Sequence, residues 1–567
     1  MRAGTGAADA ALIARQIEAT PGLERLRGID GGCAAATPES VLAVLAEAAR
    51  FAATVLEPFG AVADRAGCTL TQGRVRTAPG HRAAWDAFVA GGWTTLDGDP
   101  AQGGQGLPLA LAVAVQEVMD RACPAFNMLA VPQRSAARLI GAYGDAAMRA
   151  AWLPRLIEGA WAATICISEP EAGSDLSRIR TRAARDADGR WLITGEKCWI
   201  SFGDHDLAPR IGHCVLARTQ AADDRLSLFL VPDWLDGARN GVVVRRVEEK
   251  LGLHASPTCA LGFEGAVGAL IGAEGRGLQQ MFVMITNMRL ATAAEGLGIA
   301  AGAADVALAY AQQRRQGRID GQPVAIAAHA DVQRMLLGMA ARVEVLRGLV
   351  LSAAVAADLA RLEPDPAARV DQAALLQFLL PIVKTLGGEW GFEVASEAMQ
   401  VLGGAGYTRD WPVEQMLRDA RILSILEGTT GIQALDLMQR RVLRDDPAGY
   451  RVFMAAARAS RGGAALELCL DLLEEAVAWL TAHAADQTGG AVALLHLAGL
   501  AATGWVAARL EGLQGDDAAA RRLRSAGRHW LTLLPAQAAA AAAQVRLGGA
   551  ATAGFDGLIT SADGPGG

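Results

Sequence analysis

The sequence predicts a mainly α-helical protein with a central β domain, and three observations carry that prediction. Hydrophobic residues make up 52% of the chain while aromatics make up only 5%, so the apolar excess is mostly alanine. Alanine is the strongest helix former and buries little area per residue. Helical runs lie on both sides of a middle stretch, about 161–272, in which short strand-like runs alternate with turn residues. The length of 567 residues suggests about three to four domains at roughly 150 residues each. This apolar content excludes a disordered chain, which could not offset its ordering entropy. The 65 glycines show no Gly-X-Y period, which excludes a collagen-like repeat.

The elements follow in order. The first twenty residues carry Asp9 and Glu18 and no long apolar core, which does not fit a signal peptide. Thr37-Pro38-Glu39-Ser40 predicts a helix start, with Thr37 as N-cap and Pro38 in the first turn. Further helices are expected over about 109–121 and 135–143, after a turn-forming loop at 99–106. In the middle stretch, 191–195 and 197–201 read as two short strands around a turn. Runs at 213–217, 226–231 and 241–244 follow, which together indicate a small β domain or barrel. Long helices are expected over about 278–316, 324–360 and 369–402, with Glu363-Pro364-Asp365-Pro366 separating the second from the third. A hinge at Asp445-Asp446-Pro447 leads to a last helical region. The expected domains are 1–160, helical; 161–277, β; 278–444, a helical bundle; and 445–567, an extra helical domain.

Residues 487–508 contain no Asp, Glu, Lys or Arg and are long enough to cross a bilayer. Their Ala and Gly content, with Thr488, His496 and Thr503 and no comparable partner segment, favours a buried helix, for example at a subunit contact. No membrane span is therefore expected. A net charge of −7 disfavours nucleic acid and anionic membrane as partners of the whole protein. Eight dispersed cysteines without a CxxC pair signal neither zinc nor a disulfide framework, which fits a reducing, cytoplasmic compartment and no metal site.

Four polar segments could carry chemistry. Residues 168–175, Ser-Glu-Pro-Glu-Ala-Gly-Ser-Asp, follow an apolar run and offer hydroxyls and backbone N–H groups to a ligand rich in oxygens; they equally fit a capped turn before a helix. Trp199 and Ser201 alternate on one strand face, where they could stack on a planar ring and bond its edge, or simply form an ordinary strand. Gly403, Gly404 and Gly406 could admit a cofactor or cap a helix. Glu427 is an acid in an apolar setting followed by Gly428; desolvation would make it a stronger base, or it could serve a helix start. No GxGxxG follows a strand to open a helix, which argues against a Rossmann fold.

Taken in order, these segments resemble the acyl-CoA dehydrogenase family over roughly residues 40–440. The resemblance rests on residues 166–175, 197–201, 400–407 and Arg418-Asp419-Ala420-Arg421 through Glu427-Gly428-Thr429. Gly92-Trp93 and the segments 103–108, 254–259 and 428–433 place the chain with a longer bacterial branch that carries an extra C-terminal domain. The resemblance implies a helical domain, a β-barrel domain and a helical bundle, assembled as a homodimer or homotetramer around FAD. It implies that Ser168 and Ser201 bond the flavin and Trp199 packs on it. Arg314, from a neighbouring subunit, would meet the FAD pyrophosphate; Gln400, Gly403 and Gly404 would approach the partner's FAD; Thr429 would touch the cofactor. Ser174 would line the acyl-CoA path, Arg289 would be an active-site arginine, and Glu427 would be the catalytic base for α,β-dehydrogenation of an acyl-CoA thioester. Electrons would pass to an electron-transferring flavoprotein or to oxygen. In relatives that place the base on a helix beside the arginine, that neighbour corresponds to Met288 here, which cannot act.

Three departures stand out. Leu426 replaces the usual aromatic before the base; Arg314-Arg315-Gln316-Gly317 is one residue shorter than the family pattern, leaving Arg314 or Arg315 as the pyrophosphate contact; and Glu295 stands where Gln is common. Two rivals follow: an oxygenating paralogue acting on an acyl-CoA in natural-product biosynthesis, and a DNA-binding flavoprotein using the basic cluster Arg509, Arg521, Arg522, Arg524, Arg528 and His529.

Overall fold

In the computed structural model, residues 7–29, 31–220, 224–444 and 446–559 are described. Asp445, at the expected hinge, and the first six residues, in the segment read for a leader, lie outside them. The chain begins with α1 (Ala7–Glu18) and α2 (Pro38–Phe51). α2 starts where Thr37 and Pro38 predict: the Thr37 hydroxyl accepts the Ser40 N–H, and Pro38 occupies the first turn, where an N–H is not needed.

α3 (Leu109–Ala122), α4 (Pro124–Tyr143) and α5 (Ala146–Ile157) complete the first helical layer. α4 starts eleven residues earlier than the sequence suggests, because Pro132 does not break it. One intrahelical bond is lost there, but Leu129 and Val131 before the proline and Ala136 and Leu139 after it are buried, and that packing holds the helix through the proline.

Seven strands follow: β1 (Ala162–Cys166), β2 (Arg182–Arg185), β3 (Trp191–Ser201), β4 (Ile211–Thr219), β5 (Leu226–Pro232), β6 (Val242–Val247) and β7 (Thr258–Leu270). β7, β3, β2, β4 and β5 pair in that order, and β5 pairs back onto β7, closing a five-stranded barrel. β6 extends the sheet from β7, and β1 runs parallel to β4. The two strands expected at 191–195 and 197–201 are one strand. Gly195 (φ +152°) passes through without a turn, and a Cβ there would meet the Thr181 hydroxyl at 2.5 Å. β7 escaped the sequence reading, although Cys259, Leu261 and Phe263 alternate inward along it.

The second helical layer comprises α6 (Gly277–Gln313), α7 (Ala330–Leu362) and α8 (Pro366–Leu402). Residues 314–325, expected at the adjoining ends of two helices, instead form a hairpin in which Arg315–Ile319 pairs with Gln322–Ala325. Its Gly317 and Gly321 have positive φ, which a continuing helix would not admit. α6 and α8 cross closely: a Cβ on Gly296 would lie 2.0 Å from the Gly387 carbonyl oxygen. Arg347 of α7, 1% exposed, binds Glu117 of α3 at 2.9 Å and also Glu344, tying the two layers through a buried ion cluster.

α9 (Val413–Ala420) and α10 (Thr430–Leu435) flank the turn that carries Glu427. The last region holds α11 (Ala448–Ala459), α12 (Gly463–Ala482), α13 (Gln487–Glu511) and α14 (Ala518–Val545). α13 contains the charge-free stretch. It and α6 are long and apolar enough to cross a membrane, but 72% and 94% of their most apolar windows are buried inside the protein. On α13, Thr503 is fully buried and accepts the Trp530 indole N–H at 3.2 Å. Seven of the eight cysteines are buried, and burial alone pushes the Cys469 thiol up to about 12.

Candidate active site

Glu427 sits in a turn between the 3₁₀ segment Arg421–Ser424 and α10, with its backbone left-handed at φ +55°. A non-glycine residue in that region is strained and must be held by its surroundings. Gln433 donates to the Glu427 carbonyl at 2.9 Å, and the Lys384 ammonium donates to the Gly428 carbonyl at 2.7 Å. Gly428 is left-handed too, and a Cβ on it would meet the Gln433 amide at 2.8 Å and lie 3.8 Å from the Arg289 guanidinium. The Thr429 hydroxyl caps α10 by accepting the Ile432 N–H at 3.4 Å. Glu427 thus precedes the helix rather than starting it.

Burial pushes the Glu427 carboxyl up, while the positive charges of Arg289 and Lys384 pull it partly back; burial wins. Arg289 is itself buried and held by Asp436 at 3.1 Å. Lys384 is fully buried, and desolvation lowers it to about 8. Met288, on the preceding position of α6, is buried and apolar.

Trp199 is the other unusual residue. It lies on β3 with φ +62° and its side chain is 61% exposed. The pairing of β3 with β7 slips opposite this point, between Cys259 and Leu261. Lys197 and Cys198 are consequently buried in succession; beyond the slip Trp199 and Ser201 lie on the outer side, Cys198 and Ile200 on the inner. A large ring held outward on strained backbone fits a planar partner that covers it. Ser168 is half-buried after β1, and its carbonyl accepts the Cys198 N–H at 3.0 Å. Beneath this edge Lys197 donates to Glu169 at 2.8 Å and to the Ile167 carbonyl at 2.9 Å, locking the 168–175 loop onto β3. Ser174 is exposed on that loop. Asp175 caps a short 3₁₀ turn through the Ser177 N–H, so the capped-turn reading of this segment also holds.

One loop links the Trp199 edge to the Glu427 turn. Ser201 pairs with Thr258 on β7, and a few residues earlier the Leu253 N–H donates to Asp419 of α9 at 2.6 Å. A Cβ on Gly252 would sit 2.6 Å from the Arg418 backbone, so the loop lies directly on α9. Burial pushes Asp419 up to about 6 and, with Asp120 and Asp419 nearby, lifts Glu295 well above its ordinary value.

The remaining expected contacts lie away from this centre. Gln400, Gly403 and Gly404 are exposed; Gly403 is left-handed at φ +61°, and a Cβ on Gly404 would meet nothing within 4 Å. Arg314 is exposed at the end of α6, whereas Arg315 is tied to the Pro323 carbonyl of its own hairpin at 3.2 Å. In the basic cluster, Arg509 is half-buried against Trp505 and binds Ser352, Arg522 binds Glu344, Arg521 and Arg524 bind the 513–516 turn, and Arg528 approaches Glu511. These arginines serve the fold rather than forming an open cationic stripe. Among the described residues no group of three or more His, Cys, Asp or Glu is arranged to hold a metal. Lys384 and Asp436 were not singled out in the sequence, where a charged residue inside an apolar run was the available signal; Glu169 and Gln433 lay within segments that were singled out, but their contacts were not foreseen.

Three family models match consecutive parts of the chain: the acyl-CoA dehydrogenase N-terminal domain over 38–160, the middle domain over 164–266 and the C-terminal domain over 275–443. The chain belongs to the acyl-CoA dehydrogenase family. It is 40% identical over 511 aligned residues to 3-methylmercaptopropionyl-CoA dehydrogenase of Ruegeria pomeroyi, covering 84% of this chain and 87% of that protein. Its fold matches that of Caenorhabditis elegans ACDH-11 in complex with C11-CoA, with a TM-score of 0.74, 20% identity and coverage of 91% and 90% of the two chains. It also matches the fold of an acyl-CoA dehydrogenase complexed with FAD from Bacillus anthracis, with a TM-score of 0.69, 21% identity and 82% of each chain covered. The protein is therefore an oxidoreductase with the FAD-binding fold of enzymes that oxidise the CH–CH bond of acyl-CoA thioesters. The outward Trp199 and the open Gly403-Gly404 backbone fit FAD, the cofactor of this acyl-CoA dehydrogenase fold.

Proposed function

We propose that the protein converts an acyl-CoA thioester to its 2-enoyl-CoA, with Glu427 removing the α proton. The observation that carries this reading is Glu427 itself: a desolvated carboxylate on a strained turn, with two buried cations set around it. Desolvation makes the carboxylate a stronger base, while the charges of Arg289 and Lys384 partly offset that shift and favour its ionised form. The α C–H pair becomes one half of the new C=C bond as its proton passes to a Glu427 carboxylate oxygen. Bound FAD supplies the two-electron acceptor for the β hydride. In this reading the Glu427 N–H bonds the thioester carbonyl, stabilising the charge that develops as the proton leaves.

In the same reading Ser168 and Ser201 bond the flavin and Trp199 covers it. Thr429 reaches the cofactor from the cap of α10, and Ser174 lines the acyl-CoA path. Arg314 meets the pyrophosphate of a partner subunit's FAD; its exposed side chain supports it over Arg315, which is tied within its hairpin. The open positions Gln400, Gly403 and Gly404 face that cofactor across a homodimer or homotetramer. The four domains are 1–160, 161–277, 278–444 and 445–567, and the protein works in the cytoplasm with an electron-transferring flavoprotein as acceptor. Short acyl-CoA thioesters, 3-methylmercaptopropionyl-CoA among them, are the substrates to try first, because a relative aligned over 84% of this chain is named for that compound.

The test is Glu427→Gln, read by anaerobic flavin bleaching across a panel of acyl-CoA thioesters. The variant is expected to retain FAD and lose reduction by several orders of magnitude; retained reduction would assign the proton to another base. Rapid turnover of the wild type with oxygen alone would favour the oxygenating paralogue.

A further inference from the structure

The last helical region, beyond the family-model match that ends at residue 443, reaches the catalytic turn. α8 runs beneath that turn and meets it at three successive points. The Lys384 ammonium holds the Gly428 carbonyl. Gly388 leaves room for the Leu423 carbonyl, which would lie 2.5 Å from a Cβ there. The Glu389 Oε1 accepts the Thr430 hydroxyl at 2.7 Å, and Thr430 is the first residue of α10, three positions after Glu427. The second oxygen of the same carboxylate, Oε2, takes the His496 Nε2 at 2.9 Å. His496 belongs to α13, the otherwise apolar helix of the C-terminal region, and is the one titratable residue in its charge-free stretch 487–508.

We propose that His496 is a positioning residue for the dehydrogenation. It fixes the Glu389 carboxylate, which holds the Thr430 hydroxyl and so the turn on which Glu427 is strained. The proposal rests on Glu427 being the base. Two features favour this over an incidental surface pair. Glu389 uses both oxygens, one toward each side of the chain of contacts, so loosening His496 frees the group that Thr430 depends on. The contacts are also largely shielded, with side-chain exposures of 21% for Glu389 and 38% for His496. Among the described residues the charges acting on His496 include Glu389 and Glu393, both of α8, and those acting on Glu389 include His496, Lys384 and the like-charged Glu393. The pair favours its ionic form: the bond to Glu389 raises the imidazole, and the bond to His496 helps lower the carboxyl.

The test uses the full-length holoenzyme and measures anaerobic flavin reduction, the isotope effect on α-deuterated substrate, KM, FAD content and melting temperature. His496→Ala is expected to slow reduction about tenfold, the effect of losing one charge-assisted hydrogen bond in the chain of contacts that holds the base in place. The α-deuterium isotope effect should rise, while KM and FAD content stay within about twofold. His496→Gln, which can still donate to Glu389, should recover the rate to within about threefold. Thr430→Val interrupts the same chain from the other end, and the double variant should be no slower than the slower single one, because both act through one contact. Wild-type reduction in folded His496→Ala, or additive losses in the double variant, would overturn the proposal. Should His496→Ala fail to fold, the larger apolar His496→Leu takes its place: the proposal stands if folded His496→Leu slows reduction and raises the isotope effect, and falls if both remain at wild type. Glu427→Gln run in parallel separates the two ideas, since activity there refutes the base assignment and not merely its support.

Discussion

Gly388→Ala tests whether the Glu427 turn is placed by backbone contact with α8. The new Cβ would stand 2.5 Å from the Leu423 carbonyl oxygen, 2.7 Å from its carbon and 2.9 Å from the Ser424 nitrogen. All three are backbone atoms, so no side-chain rotation relieves the contact. Restoring an ordinary carbon–oxygen approach of about 3.3 Å requires a displacement of about 0.8 Å. Leu423 is fully buried against the core, so the strain passes along the 3₁₀ turn toward Glu427, three to four residues on. A base misplaced by about 1 Å can cost about a hundredfold in rate. Alanine would by itself favour the helix by about 1 kcal/mol, so the rate should fall more than the stability does. The assay is anaerobic flavin reduction per bound FAD, alongside denaturant melts. Gly338→Ala is the control: Gly338 lies within α7 with nothing within 4 Å of its Cβ position, and the change should stabilise without slowing. Wild-type reduction by Gly388→Ala would refute the claim that this contact places the base.

Lys384→Met removes a positive charge that holds the Glu427 carboxyl down, so Glu427 should titrate higher and the acid limb of the kcat/KM profile should move to higher pH. The wild-type rate rises with pH as Glu427 ionises; an unmoved limb in the variant would remove Lys384 from the electrostatics of the base. Trp199→Ala deletes the exposed ring and should weaken FAD retention on gel filtration while leaving the melting point of the apoprotein within about 2 °C of wild type, as expected of a change at an exposed side chain. Arg347→Met leaves Glu117 and Glu344 buried with less compensation, and should cost about 3–5 kcal/mol in urea unfolding.

Much of the fold was legible because it is written locally. Thr37 before Pro38 marks a helix start that the structure caps as expected, and the proline-rich break after Leu362 separates α7 from α8. The reading failed where a neighbour overrode the local signal. Pro132 is carried inside α4 by burial on both sides, and Gly195 continues β3 because Thr181 lies against it. The sequence reading placed a turn next to Gly195, since glycine usually punctuates structure, and began the helix only at Ser135, beyond Pro132.

By itself the sequence determined the helix–barrel–helix order, the family and the identity of the acid at 427, because each depends on residue type and order along the chain. The tertiary structure decided how that acid is held. Lys384 and Gly428 are 44 residues apart, and Glu389 and His496 are 107 apart. No periodicity or spacing records that these groups meet, since their approach is set by how α8, α10 and α13 pack. The electrostatic setting of Glu427 follows from the same packing, because desolvation and the distance to Arg289 and Lys384 exist only once the helices are assembled.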